Sequence, residues 1–464
     1  MERIERNMKL KKGLCLLLAL TMLATSAISA SATTNDAASA SEQTDSSVSG
    51  NNDSQNDSEN TDTDSQNTGE NTNTDSQNTG GNENNNAQNT GENGAGDSQG
   101  SVQPQTPAPV NYVESLSLPS YSAMIYNVSS GVYLSDEGSE DAVFSFYGIV
   151  GAGFDDPMYY DSANPVKVSY PDGKNDLKLS YELGEYNTIS FYTEKPGKKA
   201  GTEQILVSIR DVNGNTKDFL LTVTIWNLRQ KVDSSVLLAK KKSKSLKLQY
   251  QTETDGAWRS IAGSATSWAS SNKSVAKVSA AGRVTAKSKS KTCYVTGRYG
   301  TVTFYWAINV TTNDKVKVIK RAKRIYNTST YSQPRRMQSG YYDCSSLVWR
   351  AYRTVGVYFG VSRSYYNAPV AATEAKYLVS RGKLVKGGIK KSNTTKGKLI
   401  AGDLLFRGGA NNGRYRGVNH VEMFCGYDIS YVKSNGTPVY MNTWASKTDG
   451  YYGYGSSADF VCRP

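Results

Sequence analysis

Apolar residues are arranged along this chain in four successive ways, and each predicts a different kind of segment. An apolar run over residues 14–24, interrupted only by Thr21, follows Lys9, Lys11 and Lys12 and gives way to small residues ending in Ala30-Ser31-Ala32. Over residues 33–110 large apolar side chains almost vanish among Asn, Ser, Thr, Gly, Asp and Gln. From residue 111 to about 312, short runs such as 143–147, 205–209 and 219–225 are separated by turn signals such as Pro171-Asp172-Gly173 and Asn213-Gly214, which predicts many short strands. Helical spacing enters after residue 313. Cys344, Leu347, Val348, Ala351, Tyr352 and Val355 recur at i, i+3, i+4, i+7, i+8 and i+11, one face of a helix closed by Gly356. A strand is expected over 402–406 and another from His420, where Val421, Met423 and Cys425 take one face and His420, Glu422 and Phe424 the other.

The first two segments read as export signal and spacer. A basic start, a short apolar stretch and an A-x-A site make residues 1–32 a secretory signal peptide, cut after Ala32. The apolar run falls short of the about 20 residues that a bilayer requires, so no integral membrane segment is expected after cleavage. Residues 33–110 cannot bury enough surface to offset chain entropy and are expected to stay disordered. Gln-Asn-Thr-Gly recurs from Gln66, Gln77 and Gln88 without apolar positions, so the repeat is low complexity and not a helical supercoil. A coil of this length spans roughly 50 Å.

Residues 111–226 and 227–312 are each expected to form an immunoglobulin-like β-sandwich. The acids of the first, including Asp155-Asp156, read as solvated loop carboxylates. Within the second, Trp268-Ala269-Ser270-Ser271-Asn272-Lys273-Ser274-Val275-Ala276-Lys277-Val278, followed by Gly282-Arg283-Val284-Thr285-Ala286, resembles the group 2 bacterial immunoglobulin-like domain. That resemblance implies a stalk or adhesive module. Cys293 reads as a small hydrophobe of the same sandwich.

Charge separates along the chain. Residues 33–110 hold 13 acids and no Lys or Arg, residues 111–226 hold 16 acids and 8 bases, and residues 227–464 hold 40 bases and 11 acids, a difference of +29. Nucleic acid is the usual partner of such a surface, but an exported chain meets anionic wall polymers and peptide carboxylates instead. Peptidoglycan and anionic wall polymers are therefore the expected partners, nucleic acid is not, and the expected location is secreted and wall-associated.

The candidate chemistry lies in residues 313–464. Asp343 is expected to cap the helix and Cys344 to be its first residue, where unpaired N–H groups and the positive end of the dipole favour a thiolate and could hold an oxyanion. His420 is the only histidine of the chain, so any thiol–imidazole pair must use it. At the start of a strand facing a cleft it could take the thiol proton and return it to a leaving amine.

Asp343-Cys344-Ser345-Ser346-Leu347-Val348, Ala401-Gly402-Asp403-Leu404-Leu405-Phe406 and His420-Val421-Glu422-Met423-Phe424 resemble, in order, the three signatures of the NlpC-type cell-wall peptidases. The resemblance implies a papain-like α+β fold with the cysteine helix packed on an antiparallel sheet. It also implies hydrolysis of stem-peptide bonds, usually D-γ-glutamyl to diamino acid, with no metal or organic cofactor. The family orients its imidazole with a polar residue in a His-Ala-Ser run, which here reads Trp444-Ala445-Ser446. An indole cannot accept a hydrogen bond from imidazole. Asn442, two residues earlier and on the same strand face, is the expected third catalytic residue. Tyr342, Ser345 and Ser346, beside the nucleophile, are the expected substrate contacts.

The expected function is a secreted cysteine endopeptidase of peptidoglycan working through an acyl-enzyme. Two alternatives use the same residues differently: an N-acetylmuramoyl-L-alanine amidase with the same Cys–His pair, and a non-catalytic wall-binding adhesin. Cys425 and Cys462, both on strand-like runs, leave open either a disulfide or two buried thiols.

Overall fold

The computed structural model describes residues 111–148, 153–385, 398–408, 411–445 and 459–464. The expected signal peptide and spacer lie outside them, as do Ser446 and the tyrosines at 451–454.

Two β-sandwiches come first, and they share a strand. Thr216–Gln230 pairs antiparallel with Gly201–Arg210 and parallel with Ser122–Ser130. Phe219, Leu221, Val223 and Ile225 alternate with more exposed neighbours and pack with Ile205, Val207 and Ile209 against Phe144, Ile189 and Phe191 of the facing three-stranded sheet. Beyond position 226 the same strand continues into the second core through Leu228 and pairs with Leu248–Gln251. The backbone between the two sandwiches is thus a rigid strand and not a linker. A hairpin partner from the first segment, Tyr133–Ser135, also adds to the second sandwich by pairing with Val302–Thr311.

The second sandwich packs a sheet built on Thr292–Tyr299 and Val302–Thr311 against a smaller one of Ser243–Ser245, Arg283–Ala286 and Ala276–Val278. Its core holds Trp306, Phe304, Val295 and Cys293, all buried. Cys293 is a free thiol that burial pushes up to about 11.

Val302–Thr311 runs directly into the third segment. Thr312 caps the helix Asn313–Thr328, its side chain accepting from the Lys315 amide. The segment packs this helix and the helices Cys344–Arg353 and Ala371–Ser380 with a four-stranded antiparallel sheet, in the order Pro438–Ala445, His420–Val432, Leu404–Arg407, Phe460–Cys462. The cysteine helix ends at Arg353 as a Schellman motif: the Val357 amide bonds to the Tyr352 carbonyl, the Gly356 amide to that of Arg353, and Gly356 takes a φ of +78°.

The second sandwich is fastened to the sheet below the helices. Asn309 uses its side chain as a strand would use its backbone, donating to the Tyr427 carbonyl and accepting from the Tyr427 amide, both at 2.8 Å. Gly426 takes a φ of +127°, and a Cβ there would lie 2.8 Å from the Asn309 side chain, so only glycine permits this approach. Thr311 adds a bond from its hydroxyl to the Ala401 carbonyl.

Cys425 and Cys462 are buried free thiols. They belong to strands separated by Leu404–Arg407, so two strand spacings, roughly 9.5 Å, lie between them, beyond disulfide reach.

Candidate active site

Cys344 is the first residue of its helix, as its sequence context predicts. Asp343 accepts the Ser346 amide at 2.7 Å and the Ser346 hydroxyl accepts the Asp343 amide at 2.8 Å, a reciprocal capping box. Arg336 holds the other Asp343 oxygen at 3.2 Å. The cysteine sulfur meets the edge of the histidine strand: the backbone amides of Val421 and Ser345 are directed at Sγ. The peptide that follows His420 is therefore in contact with the sulfur. Cys344 and His420 are 6 % and 8 % exposed, so each keeps only a small opening to solvent.

The electrostatics of the thiol differ from the expectation. Burial pushes it up to about 12, and the carboxylates of Asp343 and Glu374 add to the rise, outweighing the two amides. A helix start favours a thiolate only where the surroundings are polar or positive. Here the capping carboxylate sits beside the sulfur and the environment is apolar. These surroundings favour the thiol over the thiolate.

Phe406 and Val421 face the helix core, whereas Arg407, His420 and Glu422 occupy the other face of the sheet. His420 Nε2 lies 3.4 Å from Glu422 Oε1, and Arg407 binds the same carboxylate oxygen at 2.6 Å. Burial alone would raise the Glu422 carboxyl. The neighbouring imidazole and the Arg407 charge prevail and hold it below the usual carboxylate range.

The remaining predicted site residues are placed elsewhere or used otherwise. Asn442 pairs with Tyr427, seven positions along the strand from His420, or roughly 23 Å away. The hairpin register, which sequence alone does not give, removes it from the imidazole. Ser345 and Ser346 are buried and bound to Asp343, so capping consumes the hydroxyls that were expected to face substrate. Tyr342 is fully buried edge-on to Tyr331 at a centroid distance of 6.0 Å, and cannot touch a ligand in this arrangement. Glu422 and Arg407 were not assigned a role from sequence. The period-2 alternation put Glu422 on the face of His420, and that signal was sufficient for Glu422; Arg407 required the register between strands.

Glu374, on the third helix, is fully buried, and neither carboxylate oxygen has a hydrogen-bond partner among the described residues. Burial drives its carboxyl well above the ordinary range, with Asp343 contributing to the rise and Arg336 opposing it. It lies close enough to the site to add to the rise of the Cys344 thiol.

Among the described residues no helix is long and apolar enough to cross a membrane. Residues 232–293 match the bacterial Ig-like domain (group 2). No curated protein matches the chain. Among solved structures, the C-terminal 282-residue fragment of intimin, in complex with the intimin-binding domain of the translocated intimin receptor, is 14 % identical with a TM-score of 0.25, over 75 % of this chain and 98 % of that one. Invasin, a bacterial integrin-binding protein, is 12 % identical with a TM-score of 0.24, over 42 % of this chain and 38 % of its own. A three-domain I9–I11 tandem from titin is 9 % identical with a TM-score of 0.17, over 42 % and 66 %. At these values no function transfers from any of the three. A group 2 immunoglobulin-like domain lies within this chain, in the second sandwich.

Proposed function

We propose that the chain is a wall-peptide hydrolase of the NlpC type, in which a papain-like third segment cuts stem peptides by a Cys–His mechanism. The observation that carries this is the contact of the Cys344 sulfur, at a helix start, with the Val421 amide next to the only histidine. Cys344 attacks an amide carbonyl while His420 takes the thiol proton, and the C–N bond breaks as that proton passes to the leaving amine. Water then attacks the thioester, restoring the thiol and releasing the acid. The amides of Ser345 and Val421 are the available donors to the oxyanion. The mechanism requires the His420 ring, which projects from the sheet face opposite the helix core, to turn round the strand start to the sulfur when substrate binds. The substrate is the D-γ-glutamyl–diamino acid bond, the location is outside the cell in contact with the wall, and the basic 227–464 stretch retains the protein on anionic polymers.

Digestion of purified wall material by the full chain, with products identified by mass spectrometry, tests this. New N-terminal diamino acids are expected, and a Cys344→Ala version should lose about a thousandfold or more in rate. Stems detached from muramic acid would identify an amidase instead.

A second reading, a non-catalytic wall-binding adhesin, is favoured by the near-complete burial and raised titration of Cys344 and by the group 2 domain. It expects tight wall binding, no product, and a thiol inert to iodoacetamide at neutral pH both with and without wall peptides. The hydrolytic reading expects alkylation that rises steeply with pH and is accelerated when a substrate analogue engages His420.

A further inference from the structure

The imidazole of His420 has an anionic neighbour where a Cys–His site needs an orienting group. On one face of the sheet, His420 and Glu422 stand two residues apart on one strand, and Arg407 stands opposite His420 on the next. Glu422 Oε1 lies 3.4 Å from Nε2 and accepts from Arg407 at 2.6 Å. The side chains of His420, Glu422 and Arg407 are only 10 %, 14 % and 14 % exposed, so these contacts are little screened by water. The residue expected to supply the group from the later strand does not: Asn442 lies opposite Tyr427, and Trp444, at the family's own position for the group, lies opposite Phe424 and has no acceptor.

A carboxylate 3.4 Å from Nε2 has two chemical consequences. It keeps the proton of the neutral ring on Nε2, which leaves the Nδ1 lone pair to take the thiol proton, and it stabilises the imidazolium that forms when that proton arrives. Arg407 binds the same oxygen, Oε1, and so holds the carboxylate in place beside the ring.

We propose that Glu422, clamped by Arg407, is the positioning residue for His420, in the place that a polar residue of a later strand was expected to fill. The inference rests on the hydrolytic reading of the Cys344–His420 site.

Because the chain has one histidine, full-length protein labelled with ¹⁵N-histidine gives a single imidazole spectrum. At a pH where the ring is neutral, the unmodified chain should be mainly the Nε2–H form; a mainly Nδ1–H ring overturns the proposal without any variant. Glu422→Met removes the acceptor at similar volume and should erase that preference and lower kcat by about a hundredfold with KM little moved. Glu422→Gln restores an acceptor and should recover a large part of both. Tautomer and kcat unmoved in Glu422→Met, or Glu422→Gln as impaired as Glu422→Met, would refute it. Arg407→Met, which leaves the carboxylate in place, should keep Nε2–H and lose several-fold in kcat, and it serves where Glu422→Met does not fold. If the unmodified chain releases no wall product, the hydrolytic reading fails, and the tautomer series decides the placement of His420 by itself.

Discussion

Two fully buried tryptophans mark the difference between the second sandwich and the third segment. Trp306 sits in the sandwich core and donates its indole N–H to the Val232 carbonyl at 3.2 Å. Trp349 sits in the cysteine helix, equally buried, and its indole N–H has no partner among the described residues. The contrast extends to the surroundings. Among the described residues the second sandwich leaves only single atoms of Ser135, Asn227 and Thr301 unsatisfied, whereas the third segment leaves Tyr342, Trp349, both Glu374 oxygens, Asn442 and Trp444 with unsatisfied atoms. Unmade bonds in a buried site cost about 1–3 kcal/mol each, so a fold keeps them where something other than stability is served. Both regions carry some of this cost, and the third segment carries the larger share.

The largest expected effect breaks the holding side of that contrast. Trp306→Ala empties the sandwich core and should cost about 3–5 kcal/mol, read as a fall in the denaturation midpoint. Because Val302–Thr311 leads into the third segment, a single cooperative transition should be lost for the sandwich and that segment together; a third segment that keeps its near-UV signal after the sandwich melts would show the two to be independent.

The fastening between the two regions is next in size. Asn309→Ala leaves the amide and carbonyl of Tyr427 without their partner in a buried position, at about 2–4 kcal/mol. Gly426→Ala should be damaging for the same reason from the other side, since its Cβ would occupy the Asn309 position. Comparable stability in Asn309→Ala and the unmodified chain would mean that the sandwich merely rests on the sheet.

Glu374 measures the stored cost directly. Its folded-state carboxyl is raised, so the folded form holds a proton that the unfolded form gives up above about pH 4.5. The contribution is fully present below that pH and is lost as pH rises, with a slope of up to about 1.4 kcal/mol per pH unit. Glu374→Gln should flatten this part of the stability profile, and at pH 7 should raise stability by about 1–3 kcal/mol. Glu422 runs the other way. Its depressed carboxyl supports the fold above its unfolded value and loses that support as acid protonates it, so Glu422→Gln should soften the acid limb only.

Legibility from sequence followed the same division. In the second sandwich the run from Trp268 to Val278 was readable because its residues act locally: Ser270 bonds the Ala276 carbonyl, Asn272 accepts from Ser274, and Val275 and Ala276 are core. The cysteine helix, its Asp343 cap, its Gly356 stop and the two faces of the histidine strand were readable for the same reason. Contacts between distant strands were not. The register that moves Asn442 away from His420, the pairing that places Arg407 beside it, and the continuity of Thr216–Gln230 through position 226 are all set by tertiary packing. The thiol's titration was not legible because the helix start gives no sign of the burial of Cys344, the main cause of its rise, nor of the carboxylates of Asp343 and Glu374 beside it.

The smallest effect is the sharpest test of the comparison. Trp→Phe at each of the two indoles removes similar volume and one N–H. At Trp306 the change also orphans the Val232 carbonyl, so the cost should be the packing loss plus about 1 kcal/mol. At Trp349 no bond is lost and a buried unpaired donor disappears, so the packing loss should be offset by a similar amount. Trp306→Phe is therefore expected to be the more destabilising by about 1–3 kcal/mol in urea denaturation, although both rings are equally hidden from solvent. Equal losses would mean that the Trp349 indole is satisfied in solution, and that the third segment carries no more unmade bonding at its tryptophan than the second sandwich does at Trp306.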